Sequence, residues 1–359
     1  MIGLWLADGR LTLRRDLPEP VPGPGESLVR PLLRGICSTD HQLVDGLYPF
    51  TGVPGHEFVG VVESGPPDLM GQTVVAEINL PCGQCPRCRG GLTKHCAHRQ
   101  AIGIHERPGA FAERLAVPTA NLHRVPAGVT PEQAVFTEPL AAALEIQEQI
   151  AIGPADRVLV IGDGKLGQLI AQSLRPTGCR LVVLGRHPSK LGHLARLGIA
   201  TLTAPPTAPA DFDVVIECTG TGAGFTLARN AVRPRGTIVL KSTYRGSVAV
   251  DLSAIVVDEV RLLGSRCGPF AKALALLAAG TLDLGYLIDC VYPLEDALSA
   301  FARSRQRGVL KVLIGALPGR CADQGKSRRT RARHGSSGAA QRGHSRPADA
   351  ESTHRKPGR

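Results

Sequence analysis

Arg157-Val158-Leu159-Val160-Ile161-Gly162-Asp163-Gly164-Lys165-Leu166-Gly167 is the stretch whose reading decides the fold. Its first five residues form a short apolar run of strand length. The glycines at 162, 164 and 167 then fall where a strand-to-helix turn that cradles a dinucleotide needs them. The first allows the tight turn, the second lets the backbone approach a pyrophosphate, and the third packs helix on strand. A lone match of this kind is weak, since a glycine-rich turn can lack any ligand. Here an apolar helix is expected over 168–174, and strands over 181–184, 213–217, 237–240 and 261–263 continue a strand–helix alternation. That repeat points to a doubly wound parallel sheet in an α/β chain.

The second expected strand ends Val183-Leu184-Gly185-Arg186-His187. An NAD site usually places Asp or Glu there to accept from the ribose 2′-hydroxyl, but glycine takes that place and arginine follows it. Without the carboxylate a 2′-phosphate meets no repulsion, and a guanidinium can bind it through two N–H groups. NADP is therefore favoured over NAD; the alternative is that Arg186 is a solvated surface charge, as most arginines are.

Upstream lie two cysteine-bearing stretches. Cys82-x2-Cys85-x2-Cys88-x7-Cys96 can place four thiolates around one tetrahedral zinc, with Gly83, Pro86 and Gly90-Gly91 supplying the turns. All four coordination positions are then filled, so this zinc is structural. The earlier stretch holds Gly35-Ile36-Cys37-Ser38-Thr39-Asp40 and Gly55-His56-Glu57-Phe58-Val59-Gly60. A thiolate, an imidazole and a carboxylate among small residues are what a catalytic zinc with an open position requires, although a lone cysteine or histidine is more often packing. Cys37 is expected at a strand end, followed by a polar turn. Further strands are expected over 58–63, 74–78 and 109–118, a helix opening at Thr130-Pro131, helices over 270–279 and 294–303, and a last strand over 309–314. Glu138, before a proline in an apolar run, needs a partner, and a metal is one candidate.

Composition bounds the rest. A chain of 359 residues suggests about two domains. Its 43% hydrophobic content fits a soluble α/β protein. No run approaches the roughly 18 uninterrupted apolar residues of a membrane span. The N-terminal residues lack a basic region before their short apolar stretch, so no signal peptide is expected and the protein is read as cytoplasmic. Ten cysteines, four of them in one regularly spaced window, suit metal binding in a reducing compartment better than disulfides. Of the net charge of +11, eight units come from 317–359, with eleven Lys/Arg against three Asp/Glu. That tail lacks hydrophobic periodicity and is expected to be disordered, and the body is close to neutral.

The glycine turn, the four-cysteine lobe, the two motifs around Cys37 and His56, and Glu138-Pro139-Leu140 together resemble the zinc-dependent medium-chain alcohol dehydrogenase superfamily over about residues 1–315. The resemblance implies a GroES-like β-rich catalytic domain over 1–140, completed by 285–315, and a Rossmann domain over 141–284, with the active site in the cleft between them. Cys37 and His56 match the catalytic zinc ligands. Glu138 matches the third ligand of the polyol, sorbitol and threonine dehydrogenase-like branch, and Glu57 a carboxylate beside the metal that exchanges onto it. Thr39 occupies the place of the hydroxyl that passes the substrate proton outward, and a hydroxyl can both donate and accept. Gly162, Gly164, Lys165, Leu166 and Gly167 match the cofactor turn, and Lys311 in the last strand is a candidate for a cofactor phosphate contact. His41 lies one residue too early to end the proton relay and is given no role.

The implied enzyme carries two zinc ions per chain and transfers hydride between NAD(P) and a secondary alcohol, polyol or sugar. Assembly as a dimer or tetramer is a family expectation. Two other readings remain: a zinc-free quinone or enoyl reductase, against which Cys37, His56 and Glu138 argue, and a nucleic-acid-binding protein using the basic tail. The tail has no aromatic residue for stacking, which disfavours the latter.

Overall fold

A computed structural model of the chain describes residues 1–206 and 211–315. The basic tail read at 317–359 lies outside the described residues.

The apolar run Arg157–Ile161 is the third strand of a six-stranded parallel sheet. Its order is Ala200–Leu202, Arg180–Leu184, Arg157–Ile161, Phe212–Glu217, Val232–Leu240 and Arg261–Gly264. Helices cover both faces of such a sheet, so its central strand carries no polar alternation, and Val158 to Ile161 are all buried. Chain order reverses between Arg157–Ile161 and Phe212–Glu217, which opens a crevice at their C-terminal ends.

The glycine turn sits in that crevice. Gly162 adopts φ 123°, which excludes most side chains, and a Cβ at Gly167 would overlap the Gly162 carbonyl oxygen. At Gly164 a Cβ would meet nothing within 4 Å. The open space lies in front of helix Lys165–Leu174, whose unpaired N–H groups favour a phosphate.

A second sheet is built from the two ends of the described chain. Its order is Leu122–Arg124, Thr73–Ala76, Glu57–Ser64, Glu26–Gly35, Lys311–Gly315 and Ile288–Tyr292, and Leu115–Pro118 also pairs with Glu26–Gly35. Leu313 stands opposite Gly35 and Ile314 opposite Arg34, so residues from the end of the described chain complete the sheet begun at its start. Helix Thr137–Gln149 joins the two sheet systems. Its residues Pro139 to Ala141 and Ala143 to Ile146 are buried, and it packs against both helix Lys165–Leu174 and helix Phe270–Ala278.

Two local expectations are corrected. The polar turn expected after Cys37 is the helix Ser38–Val44, because the Asp40 carboxylate accepts from the Cys37 backbone N–H at 2.8 Å and closes its first turn. Only Leu115–Pro118 of the stretch 109–118 is strand. The N–H groups of Gly109 and Ala110 bond the carbonyls of Val53 and Gly55 instead, which folds that segment over the loop before His56.

Candidate active site and metal centres

Cys37 stands at the junction of strand Glu26–Gly35 and helix Ser38–Val44, and His56 immediately precedes strand Glu57–Ser64, the neighbour of the first strand in the sheet. Pairing of these strands, Gly35 opposite Glu57, is what brings the residues together. The ligand atoms of Cys37, His56 and Glu57 lie within 4.8 Å of one another. A Cβ on Gly35 would overlap the Glu57 carboxylate, so this register needs glycine there.

The electrostatics of the cluster fit a cation. Glu57 Oε1 is buried without a hydrogen-bond partner, a costly arrangement for a polar atom. Burial alone would depress His56, but the Asp40 carboxylate and then the Cys37 sulfur raise it well above the ordinary histidine range. The soft sulfur, the imidazole and the carboxylate are a donor set suited to zinc with an open position.

Glu138, expected as the third ligand, is in the first turn of helix Thr137–Gln149 and lines the same cavity, but it does not complete the cluster at that distance. Burial pushes its carboxyl up to about 7; His56 opposes that rise and Glu57 adds to it. Two carboxylates therefore face one site, with Glu57 the nearer in this arrangement. Thr39 Oγ1 lies 3.8 Å from Cys37 Sγ, and its side chain lines the cavity.

Lys311, the candidate for a cofactor phosphate contact, is an interior residue. It is 1% exposed, and its ammonium is paired with the Glu57 carboxylate behind the cluster. Its ammonium also lies 3.5 Å from the Ile36 carbonyl, the group to which Lys165 of the glycine turn donates.

Asp40 escaped the sequence reading, which quoted it without a role. One of its oxygens holds the Cys37 N–H and the other lies 3.2 Å from His56 Nδ1, so it orients both ligands at once. Asp40→Asn is therefore expected to weaken zinc binding at this site about 10–100-fold. Competition with a chromophoric chelator measures it, and unchanged affinity would remove Asp40 from the centre.

The second centre matches its spacing. The sulfurs of Cys82, Cys85, Cys88 and Cys96 lie within 4.8 Å of one another, with Cys85 Sγ 3.5 Å from Cys88 Sγ and 3.8 Å from Cys96 Sγ. Backbone N–H groups of Ala97 and Cys88 draw the Cys85 thiol down to about 6, while burial pushes Cys88 up to about 12. Four sulfurs this close can all be thiolates only around a cation.

A cavity of about 1480 Å³ joins the first centre to the glycine turn, being lined by Cys37, His56, Glu57, Glu138, Gly164, Lys165 and Leu166 among others. Lys165 reaches across it to donate to the Ile36 carbonyl at 3.0 Å, next to Cys37. The remaining cofactor candidate, Arg186, is an exposed side chain at the end of strand Arg180–Leu184. Its backbone N–H and that of His187 are held by Asp163 at 2.8 and 2.7 Å. A Cβ at 185 would meet the Asp163 carboxylate at 2.5 Å, so glycine at 185 also makes room for this clasp.

Comparison with known proteins agrees with this arrangement. Residues 23–127 match the alcohol dehydrogenase GroES-like domain, and 166–279 match the zinc-binding dehydrogenase domain. The L-galactonate-5-dehydrogenase of Escherichia coli K12 is 32% identical over 322 residues, 82% of this chain and 93% of that protein. The chain belongs to the zinc-dependent medium-chain alcohol dehydrogenase superfamily. This dehydrogenase is an NAD(P)-dependent oxidoreductase of the polyol and sugar branch. It is 30% identical to the D-altritol 5-dehydrogenase of Agrobacterium fabrum C58, over 83% of this chain and 94% of that one. It also superposes with a TM-score of 0.81 and 29% identity on a Sinorhizobium meliloti 1021 protein described as a zinc-binding dehydrogenase and bound to NADP, covering 88% of this chain and 99% of that one. No helix among the described residues is long and apolar enough to cross a membrane.

Proposed function

We propose that this dehydrogenase oxidises a secondary hydroxyl of a polyol or sugar, with hydride passing to the nicotinamide of NADP in preference to NAD. The observation that carries the reading is the single cavity that opens on both the Cys37–His56–Glu57 cluster and the Gly162–Gly167 turn. Cys37, His56 and one of the two carboxylates, Glu57 or Glu138, would hold a zinc there. Bound, it supplies Lewis acidity that lowers the pKa of the substrate hydroxyl.

The chain's own residues do the rest. Thr39, beside Cys37, takes the hydroxyl proton and passes it outward. The N-terminus of helix Lys165–Leu174 holds the pyrophosphate, and Leu166 lines the cavity as an apolar wall beside it. Lys165, fastened to Ile36, fixes the cofactor turn against the strand that carries Cys37. Proximity of donor carbon and acceptor ring then follows from the fold.

Arg186 supports the preference for NADP. It forms no ion pair among the described residues, whereas the Asp163 carboxylate nearby is engaged by two backbone N–H groups and the His187 ring. Arg186→Ala is expected to raise KM for NADP roughly 10- to 100-fold, the worth of a charge-assisted hydrogen bond, and to leave KM for NAD nearly unchanged. Equal effects on both cofactors would assign Arg186 to the solvated surface. The reading as a whole is tested by following NADPH and NADH formation with a panel of alcohols, polyols and sugars before and after chelation. Turnover that chelation leaves intact would favour the zinc-free reductase.

A further inference from the structure

We propose that Arg99 and Arg266 form an anion-binding subsite in the wall of the metal cavity, so that the substrate is a polyol bearing a carboxylate or phosphate group at a distance from the carbon that is oxidised. The proposal rests on the dehydrogenase reading above and deepens it by naming the class of substrate.

The two side chains come from opposite parts of the chain. Arg99 follows the four-cysteine lobe, and Arg266 follows Arg261–Gly264, the edge strand of the parallel sheet. Both line the cavity that holds Cys37 and His56. Their guanidinium groups converge on one acceptor, the Lys94 carbonyl, which accepts from Arg99 Nη1 at 3.3 Å and from Arg266 Nη2.

A guanidinium presents several N–H donors in a fixed fork and has no way to shed its charge. A single neutral carbonyl shared between two such groups leaves most of these donors unused. Arg99 Nε is buried with no partner at all, and neither arginine forms an ion pair with any carboxylate among the described residues. Burial and then the proximity of Arg266 lower the Arg99 pKa, and the Cys267 and Cys96 sulfurs act the other way.

Of the other cations at this cavity, Lys165 and Lys241 are held by backbone carbonyls, and Lys241 also by the Ser265 hydroxyl. Arg245 and Arg305 both pair with Asp45, and Lys94, beside the arginine pair, is neutralised by Glu145 at 2.6 Å. An anionic ligand group is what the Arg99–Arg266 pair lacks, and a planar fork suits a carboxylate or a phosphate. The cofactor's pyrophosphate has its own place at the start of helix Lys165–Leu174, so the arginine pair is left to the substrate.

The test compares kcat/KM of the zinc-loaded enzyme on matched series: pentitols and hexitols, the aldonates of the same configuration, and their terminal phosphate esters. Wild type, Arg99→Gln, Arg266→Gln and Arg266→Lys are assayed in parallel. The wild type is expected to act best on an anionic member, and the better of the two anionic arms tells carboxylate from phosphate. The anionic-to-neutral ratio is expected to fall roughly 10- to 100-fold in each glutamine variant, mainly through KM. Arg266→Lys should recover part of it, since charge is kept but the fork is lost. Calorimetric titration of the enzyme with the preferred anion reads the same loss without turnover, and zinc content and Tm report whether each variant is folded.

A ratio that does not move in folded variants, or a wild type that prefers the neutral polyols, overturns the subsite and leaves the dehydrogenase reading standing. Absence of turnover on every arm overturns that reading, and absence of anion binding in the titration then overturns the subsite as well.

Discussion

Lys311→Met is expected to destabilise the folded chain by about 3–5 kcal/mol, the cost of leaving one partner of a buried ion pair without its counter-charge. Lys311 and Glu57 are each 1% exposed and paired with one another. Removing the ammonium leaves a carboxylate in the interior with nothing but the metal side to answer it. A fall in Tm on the order of 10 °C is expected in chelator-treated protein, and a smaller one when zinc is present to share the charge. The double variant Lys311→Met, Glu57→Gln should recover most of the stability, because both charges are then gone. If the single variant melts like the wild type, the pair does not hold these two strands together, and Lys311 would again be free to serve the cofactor.

His56→Ala is expected to lower kcat on the order of 10³-fold, since loss of the cation forfeits several kcal/mol of charge stabilisation at the reacting oxygen. NADPH binding, followed by nicotinamide fluorescence, should persist, because the glycine turn and helix Lys165–Leu174 belong to the parallel sheet and not to the strand that places His56. The split between lost turnover and retained binding identifies a role at the metal. Loss of both would instead mean that the cleft as a whole had collapsed. A kcat within about tenfold of wild type would place the chemistry elsewhere.

Features written in local sequence were legible before the fold was known. The glycine turn is one, because a strand, its turn and the following helix are contiguous and their steric demands fall on adjacent residues. The cysteine lobe is another, since spacing alone brings four sulfurs within 4.8 Å. Features that depend on strand pairing were not legible. Lys311 and Glu57 are 254 residues apart, and only the return of the last described strand beside Glu26–Gly35 makes them neighbours. Arg99 and Arg266 likewise meet only across the cleft.

Asp40 is an intermediate case. It stands three residues after Cys37, but its two-handed contact with the Cys37 N–H and His56 appears only once the segment is a helix, where the sequence suggested a turn. The choice between Glu57 and Glu138 is of the same kind. Residue type marks both as candidates, and the pairing of Gly35 with Glu57 puts the latter nearer the cysteine and histidine.

The central claim is that one chain holds two metal centres of different character, an open one at Cys37–His56 and a closed one in the cysteine lobe. Zinc per chain, measured by elemental analysis on protein purified without chelator, tests it most directly when wild type and Cys37→Ala are compared side by side. The account predicts two zinc ions in the wild type and about one in the variant, the four-cysteine site keeping its own. One zinc in both proteins would contradict the open centre, and with it the assignment of Cys37, His56 and the facing carboxylates to catalysis.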